Sequence, residues 1–272
     1  MRKKTHKVSI ANGGSAKGTQ AIDRALSIMS QFDFVHKTWG AVEMSHKLGL
    51  TLPTTQRIMK TLEFKGFLAF DEEIGKFKIG LRVFELGAVV ESQMMIVNRA
   101  KKVMNRLRDE TNETIHLVVV DGDEMLYVKK VESVDAFGIL SSVGIRRSLT
   151  TGSLGKAILS TFQNKMLKQY LSEHDLIQYT PRTITDKDRY FDEIVKTRER
   201  GFAIDREELF NGVCGIATPI TEKHSAVGGV AIVFPALRYD EKQVSEWGQM
   251  IRQAGFRISH SLSVPLNDGR DH

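Results

Sequence analysis

The chain has 272 residues, of which 41% are hydrophobic, and this length and composition predict two domains of ordinary size. Its single cysteine, Cys214, excludes an internal disulfide and the usual structural zinc sites, and its eight histidines show no metal-ligand spacing. No run of about 18 apolar residues is present, and the opening residues MRKKTHKVSIANGG have no apolar segment behind their charges. We therefore expect a soluble, cytoplasmic protein without a cofactor or a metal ion.

The net charge of +6 lies entirely in the first third of the chain. Residues 1–90 hold 14 Lys and Arg against 8 Asp and Glu, whereas the remainder holds 25 of each. A basic small domain joined to a neutral larger one is typical of a nucleic-acid-binding module attached to a domain that does not contact nucleic acid. Residues 1–19 carry five of the cations, and we predict that they form a disordered basic tail.

Two short helices are predicted after this tail. The first covers AIDRALSIMSQF, residues 21–32, and its expected core-facing stripe is Ile22, Ala25, Leu26 and Met29. The second lies in WGAVEMSHKLGL and is expected to turn three residues inward: Ala41, Met44 and Leu48. It ends at Gly49, which suits the positive φ of a helix C-cap, and another helix follows within a few residues. This arrangement has the spacing of a helix-turn-helix motif.

The third helix lies in LGLTLPTTQRIMKTLEFKGFL, with Thr51 as its expected N-cap and Pro53 in its first turn. It should run to about Lys65, before Gly66. One side carries a core-facing stripe made of Thr55, Ile58, Met59 and Leu62. The opposite side carries Pro53, Gln56, Arg57, Lys60 and Thr61. On an arbitrary helix this polar side would be solvated surface, but its place in a helix-turn-helix favours contact with DNA.

The hydrophobic period changes to two after Gly66. FLAF and KFKI flank the polar turn DEEIG and predict a β-hairpin, so residues 20–80 are predicted to form a winged helix-turn-helix domain. Arginine can pair with guanine and glutamine with adenine in the major groove, whereas hairpin lysines are better placed for phosphates. The predicted residues that bind double-stranded DNA are Thr54, Gln56, Arg57, Lys60, Thr61, Lys76 and Lys78.

Several segments, taken in order, resemble the IclR family of bacterial transcriptional regulators. ALSIMSQF, LGLTLPTTQRIMKTLEFKGFL and KFKIGLRVFELG look like its N-terminal domain. RRSLTTGSLGKAILS, RERGFAIDREELFNGVCGIATPI and GGVAIVFPALR resemble three marks of its effector domain, so the match covers roughly residues 20–262. The chain departs from the family where Pro53 lies two places later than usual, where Ser148 and Thr150 replace a proline and a histidine, and where Cys214 lies one residue early.

Helical periodicity predicts a linker helix over residues 81–108, with apolar positions at Val83, Leu86, Gly87, Val90, Val97, Ala100, Met104 and Leu107. The resemblance implies that this helix serves in dimerisation, so we expect a homodimer or a homotetramer. The alternative is a helix that packs only on its own chain. In both cases Phe84 and residues 94–96 are expected to be buried.

Residues 109–264 alternate strands and helices without a regular βαβ rhythm. TIHLVVV and EMLYVKKV flank a DGD turn, FGILSSV is a further strand, and SLGKAILSTF begins a helix. Residues 188–200 form another helix that ends at Gly201, and VCGIATPI and VGGVAIVF make a second strand pair. Asp240 and Gln243 can cap the final helix. This order predicts an antiparallel sheet with helices on its faces, and the resemblance implies a GAF-like effector domain. The fold class is therefore α+β, with a tail over residues 265–272.

The resemblance also implies a ligand-responsive regulator, a repressor or an activator, whose second domain binds a small organic effector. The implied lining of the effector site is Ser153, Leu154, Gly155, Asp205, Cys214, Gly215, Ala231 and Val233. Some family members that bind small carboxylates have hydroxyl groups where this chain has Ala231 and Val233. We therefore predict a larger, partly apolar ligand, a carboxylic or aromatic catabolite, with its polar end held by Ser153, by backbone N–H groups near Leu154 or by Asp205. The alternative is that these residues fill the core and the ligand lies elsewhere.

The alternative class of function is a small-molecule-binding or hydrolytic enzyme with an appended helical domain. TGSLGK is not a phosphate loop, because Thr150 and Ala157 stand where that motif needs Gly and a hydroxyl residue. Cys214 with His116 or His224 would supply a nucleophile and a base, but a thiol inside an apolar strand is usually inert. Asp205, Glu207 and Glu208 would supply metal ligands, yet edge carboxylates are more often solvated. No catalytic residue and no metal ligand is predicted.

Overall fold

The computed structural model describes residues 19–133 and 142–263, and these form two compact units that divide between Gln93 and Met94. Apart from Thr19, the predicted N-terminal tail lies outside the described residues, as does the whole of the predicted C-terminal tail. The predicted strand FGILSSV also lies outside them, except for Ser142 and Val143.

The N-terminal unit contains a helix-turn-helix and a small sheet. Its first helices are α1 (Gln20–Met29), α2 (Ala41–Leu48) and α3 (Leu52–Phe64). Its strands are β1 (Thr38–Trp39), β2 (Leu68–Asp71) and β3 (Lys76–Ile79), which pair antiparallel in the order β1-β3-β2. Gly49 has a φ of 64° and joins α2 to α3. The predicted winged helix-turn-helix is confirmed, although β1 is too short to produce a period-two pattern.

The core of this unit centres on Met44 and Met59, which are completely buried. The predicted inward stripes of α2 and α3 pack here. On α1, however, Ile28 is the buried residue, whereas Ile22 and Leu26 are 60% and 61% exposed. The predicted stripe on α1 is therefore wrong at Ile22 and Leu26, whereas Met29 packs against the core as expected. The apolar residues of α1 form one broad face, and only the part of it that includes Ile28 and Met29 meets the core.

The linker predicted as one helix is two helices. The first, α4 (Leu81–Gln93), has no buried residue, and Phe84, expected to be buried, is 76% exposed. The second, α5 (Met95–Thr111), begins after Met94, whose extended backbone carbonyl accepts hydrogen bonds from the N–H groups of Val97 and Asn98. Of the two sets of predicted apolar positions, only the second, from Val97 to Leu107, packs in a core of the described chain. The break at Met94 therefore separates a helix that packs in this core from one that does not. Ile96 is buried, but Met95 is 46% exposed.

The C-terminal unit is built on a six-stranded antiparallel sheet of order β6-β5-β4-β9-β8-β7. Its strands are β4 (Thr114–Asp121), β5 (Glu124–Val131), β6 (Arg146–Ser148), β7 (Ala203–Arg206), β8 (Val213–Glu222) and β9 (Ser225–Pro235). Its remaining helices are α6 (Gly152–Leu159), α7 (Asn164–Glu173), α8 (Lys187–Arg200) and α9 (Glu241–Ser263), with a 3-10 turn at Ala236–Arg238. The predicted hairpin, antiparallel sheet and long final helix are confirmed, whereas β6, α7 and β7 are additional.

Two cores lie on opposite faces of this sheet. One is formed by α5 and α9 and includes Met104, Trp247 and Ile251. The other is formed by α6, α7 and α8 and includes Leu154 and Tyr190. The N-terminus of α9 is capped as expected, because the Asp240 carboxylate accepts a hydrogen bond from the N–H of Gln243 at 2.9 Å. The sheet is thus covered by helices on both faces, and the start of α6 lies beside its strands.

Candidate functional sites

The outer side of α3 is the first candidate site. Pro53, Gln56, Arg57, Lys60 and Thr61 are all exposed, and Thr54 is half-buried. The N-cap is Thr51, as expected, but its hydroxyl donates to the Thr54 hydroxyl at 2.9 Å instead of capping the backbone. Within the described residues, the side chains of Gln56 and Arg57 make no hydrogen bond and no ion pair, so both are available to a ligand.

The predicted DNA-binding lysines, by contrast, already have partners. Lys76 Nζ lies 2.7 Å from Glu43 Oε1, and Lys78 Nζ lies 2.9 Å from Asp71 Oδ2. Hydrogen bonds from these lysines lower the pKa of the Glu43 and Asp71 carboxyl groups. Exposed pairs of this kind contribute little stability, so a DNA phosphate can replace either carboxylate at small cost.

Lys60 is held toward the wing. Its Nζ lies 2.9 Å from Glu63 Oε2 and 5.0 Å and 5.6 Å from the ring centroids of Phe70 and Phe77. A lysine over two aromatic rings is attracted to their faces. Lys60 is therefore engaged within its own unit, unlike Gln56 and Arg57.

The second candidate site is a cleft in the C-terminal unit, between the start of α6 and the sheet. Six of the eight predicted effector residues line it: Ser153, Leu154, Asp205, Cys214, Gly215 and Val233. Residues that the sequence did not single out also line it, among them His116, Tyr127, Arg147, Thr151, Leu209 and Phe210. The cleft has the largely apolar lining of a small-molecule site.

Gly155 and Ala231 do not line the cleft. A Cβ on Gly155 would lie 2.2 Å from the carbonyl oxygen of Leu149, so glycine allows α6 to approach that backbone closely. Ala231 is completely buried in the core under α6. Both residues help α6 to pack on its neighbours and do not contact the cleft, so their predicted role as lining residues is corrected.

The start of α6 brings the polar residue Thr151 to the cleft and lies beside a second one, Asp205 on β7. Thr151 is the N-cap of α6, yet its hydroxyl makes no capping bond and has no hydrogen-bond partner within the described residues, although the residue is only 3% exposed. Gly152 follows with a φ of 63°, and a Cβ there would lie 3.1 Å from Asp205 Oδ2. The Asp205 carboxylate therefore lies against the first turn of α6.

Asp205 has an altered acidity. Burial raises the pKa of its carboxyl group to about 6; nearby Lys156 lowers this pKa, and nearby Glu208 raises it. The carboxylate accepts a hydrogen bond from the N–H of Glu208 at 2.6 Å. Asp205 is thus a buried acceptor that titrates close to neutral pH.

The loop after β7, which contributes Leu209 and Phe210 to the cleft, is fixed by charged residues. Lys156 is completely buried and donates to the Glu208 carboxylate and to the carbonyl of Ile204. Glu207, with a φ of 61°, pairs with Arg182 at 2.6 Å. These bonds keep the loop in one conformation beside the cleft.

Three further titratable groups in the cleft, His116, Tyr127 and Cys214, are neutral at physiological pH. Burial lowers the pKa of His116 to about 3, and nearby Lys130 acts in the same direction. Burial raises the pKa of Tyr127 to about 12 and that of Cys214 to about 11. A nucleophilic cysteine needs a lowered pKa, so the arrangement favours binding over covalent chemistry. His224 lies exposed in the turn between β8 and β9.

Two further features bear on function. Throughout residues 19–133 and 142–263, no group of three or more His, Cys, Asp or Glu residues could hold a metal ion. Glu207 and Glu208, considered above as metal ligands with Asp205, are paired with Arg182 and Lys156 instead. None of the described helices is both long enough and apolar enough to cross a membrane.

Comparison with known proteins gives consistent matches along the chain. The model of the family "Bacterial transcriptional regulator IclR C-terminal" matches residues 88–260, and that of the "IclR helix-turn-helix domain" matches residues 21–72. The HTH-type transcriptional regulator KdgR of Escherichia coli K12 is 31% identical over 224 residues, which cover 82% of this chain and 85% of KdgR.

Solved structures agree with this match. The crystal structure of Thermotoga maritima IclR has 28% identity and a TM-score of 0.75, with 90% of this chain and 100% of that chain covered. An IclR homologue from Microbacterium hydrocarbonoxydans, complexed with 4-hydroxybenzoate, has a TM-score of 0.78 over 90% of this chain and 99% of that chain. At 20% identity, this second likeness is one of fold.

Proposed function

Because the chain belongs to the IclR family of bacterial transcriptional regulators, we propose that it reads its operator through Gln56 and Arg57 and responds to a small organic effector. The exposed, unpaired side chains of these two residues on the outer face of α3 support the DNA-binding assignment. Lys60, Thr54 and Thr61 lie beside them, and Lys76 and Lys78 exchange their carboxylate partners for phosphates when the domain binds. Cytoplasmic action on DNA is part of the same proposal.

The cleft at the start of α6 is the proposed effector site. The single observation that carries this proposal is the buried Thr151 hydroxyl, which faces the cleft without a partner among the described residues. Buried polar groups are nearly always hydrogen-bonded, so an unpartnered one beside a cavity points to a ligand. The relative from M. hydrocarbonoxydans was crystallised with an aromatic acid, which agrees with the apolar lining found here. We propose a carboxylic or aromatic effector of similar size.

We further propose that the chain acts as a dimer through α4. In the single chain, Leu81, Phe84 and Val90 are 82%, 76% and 51% exposed, and no residue of α4 is buried. A helix this apolar and this exposed is unusual on a monomer, and a second copy supplies the simplest cover. A dimer also presents two copies of α3 to a repeated or pseudo-palindromic operator.

We do not propose catalysis. A protonated Cys214 thiol and a neutral His116 ring leave the cleft without a nucleophile and base of the usual kind. The named relatives are regulators, and the cleft is built to bind.

The test combines DNA selection with ligand screening. Full-length protein should enrich a specific sequence from a random duplex library, and the affinity for that sequence should then be measured at fixed salt. A thermal-shift screen of carboxylic and aromatic acids should identify compounds that stabilise the protein, and one of these should change the DNA affinity. The absence of any enriched sequence would refute operator reading, and acids that neither stabilise the protein nor alter DNA binding would refute the effector assignment.

A further inference from the structure

The cleft contains two opposite charges that do not pair with each other. Arg147 lies on β6, with its guanidinium carbon 5.2 Å from the ring centroid of Phe210. Across the described part of the chain, no carboxylate lies within ion-pair distance of Arg147. Asp205, on β7, likewise has no ion-pair partner within the described residues. An unpaired guanidinium in a largely apolar cleft favours an anionic ligand, because the planar fork matches a carboxylate.

Other polar groups converge on the same space. The hydroxyl of Thr151, four residues after Arg147, is buried and has no partner in the described ranges. The hydroxyls of Tyr127 and Ser153 also line the cleft and make no hydrogen bond within the described residues. Leu209, Phe210 and Val233 line the same cleft and supply its apolar wall. The cleft therefore matches a ligand with polar groups attached to an apolar body.

We propose that Arg147 is the specificity-determining residue of this cleft and binds the carboxylate of an organic hydroxy acid. The Thr151 hydroxyl hydrogen-bonds to the same ligand, and Asp205 accepts a hydrogen bond from the ligand hydroxyl. The apolar wall encloses an aromatic or comparably flat body. This inference rests on the proposed function, because it names the chemistry of the effector that the cleft takes.

The neighbouring residue, Arg146, provides a control for substitutions that remove the charge of Arg147. Arg146, the adjacent residue of β6, does not line the cleft and pairs with Asp121 at 2.7 Å and with Glu124 at 3.6 Å. Arg146→Gln therefore removes the same charge from outside the cleft. Arg147→Gln removes it from inside, and Arg147→Lys keeps the charge but loses the planar fork.

The experiment is calorimetry on the full-length chain near pH 7.5 with 4-hydroxybenzoate, 4-hydroxybenzamide, benzoate and 4-methoxybenzoate. The unaltered protein should bind 4-hydroxybenzoate at least about 10-fold more tightly than the neutral amide, because a charge-assisted hydrogen bond is lost with the amide. Arg147→Gln should weaken acid binding by roughly 10- to 100-fold and remove the preference for the acid. Arg147→Lys should restore part of it, and Arg146→Gln should change the affinity by less than about twofold. Benzoate and 4-methoxybenzoate, which offer Asp205 no donor, should bind more weakly than 4-hydroxybenzoate.

The outcomes separate this inference from the function on which it rests. Equal binding of acid and amide, or an Arg147→Gln variant that keeps the acid preference, would overturn the role of Arg147 while effector binding stands. Equal binding of the hydroxy and methoxy acids would overturn the role of Asp205. If no member of the panel binds, the aromatic hydroxy acid class is wrong and this inference fails, whereas operator selection still reports on DNA binding. Circular dichroism of each variant verifies that its fold is intact.

Discussion

The backbone of Gly152 lies close to the carboxylate of Asp205: a Cβ on Gly152 would lie 3.1 Å from Asp205 Oδ2, and the φ of Gly152 is 63°. Only glycine adopts this backbone conformation without cost, and only glycine leaves room for the carboxylate. This close approach places a buried acceptor beside the first turn of α6. Substitution at residue 152 therefore tests both the backbone and the site.

Gly152→Ala should lower the free energy of unfolding by about 1–3 kcal/mol, because the new methyl group adds a positive-φ penalty and crowds the carboxylate. Gly122→Ala is the matched control, since Gly122 has a φ of 66° but its added methyl group would meet no described atom within 4 Å. It should incur only the backbone penalty. Urea unfolding of both variants measures the difference, and equal losses would show that the Asp205 contact adds no strain.

Asp205 should make stability depend on pH. Its pKa is about 6 in the folded chain against an ordinary value of 3.8, so the folded state holds the proton more tightly than the unfolded state. The folded chain therefore binds more protons between about pH 4 and pH 6, and its free energy of unfolding falls as pH rises through this window. The loss should reach at most about 3 kcal/mol above pH 6.

Asp205→Asn keeps an oxygen that can accept the Glu208 N–H but cannot ionise. The variant should gain stability relative to the unaltered chain as pH rises from about 4.5 to about 7. Urea unfolding at about five pH values in that range would measure the gain. A stability difference that stays constant with pH would contradict the raised pKa of Asp205.

Arg57→Ala should weaken binding to the selected operator by about 1–3 kcal/mol while leaving non-specific binding nearly unchanged, if Arg57 pairs with a base. Lys78→Ala should weaken binding more evenly across sequences and reduce its salt dependence, because a phosphate contact carries no sequence information. Competition binding at fixed salt distinguishes the two patterns. Full operator affinity in a folded Arg57→Ala protein would contradict the assignment.

Phe84→Glu should disrupt the proposed dimer. Each copy would place a charge where an apolar side chain is covered, and burial of one such side chain contributes about 1.5–3 kcal/mol. With two copies affected, the dimer dissociation constant should rise at least about 100-fold, and operator affinity should fall with it. Sedimentation at micromolar concentration provides the measurement, with Glu91→Gln on the same helix as a control. An unaltered chain that sediments only as a 30.6 kDa monomer, with and without DNA, would exclude the dimer.

The exposed residues of α3 could be predicted from the sequence, because the helical repeat of its apolar residues identifies the buried side and therefore the exposed side as well. The cleft could be predicted only in part. Arg147 and Thr151 reach it through β6, a three-residue strand that pairs with β5 and leaves no period of its own. Similarly, most of β4 is buried, so its residue pattern does not show that His116 turns toward the cleft.

The carboxylate that pairs with Lys76 could not be predicted from the sequence, for a different reason. Glu43 and Lys76 are 33 positions apart, on a helix and on the wing, and meet only when the domain has folded. The break between α4 and α5 at Met94 also depends on contacts between elements. The helical pattern of apolar residues continues through Met94, but only α5 packs in the core of the C-terminal unit. Short-range patterns report elements, whereas contacts between elements decide which side chains share a site.

The central pairing of β4 with β9 determines when this protein can fold during its own synthesis. Thr114 is aligned with Val233, and α5 packs on α9, so the first elements of the C-terminal unit need the last ones. The N-terminal unit is complete once Gln93 has left the ribosome, whereas β4 must wait with an open edge until β9 emerges. A nascent chain stalled before β9 would thus carry a finished DNA-binding unit and an unprotected strand. The interval of greatest exposure to aggregation is therefore the translation of the segment between β4 and β9.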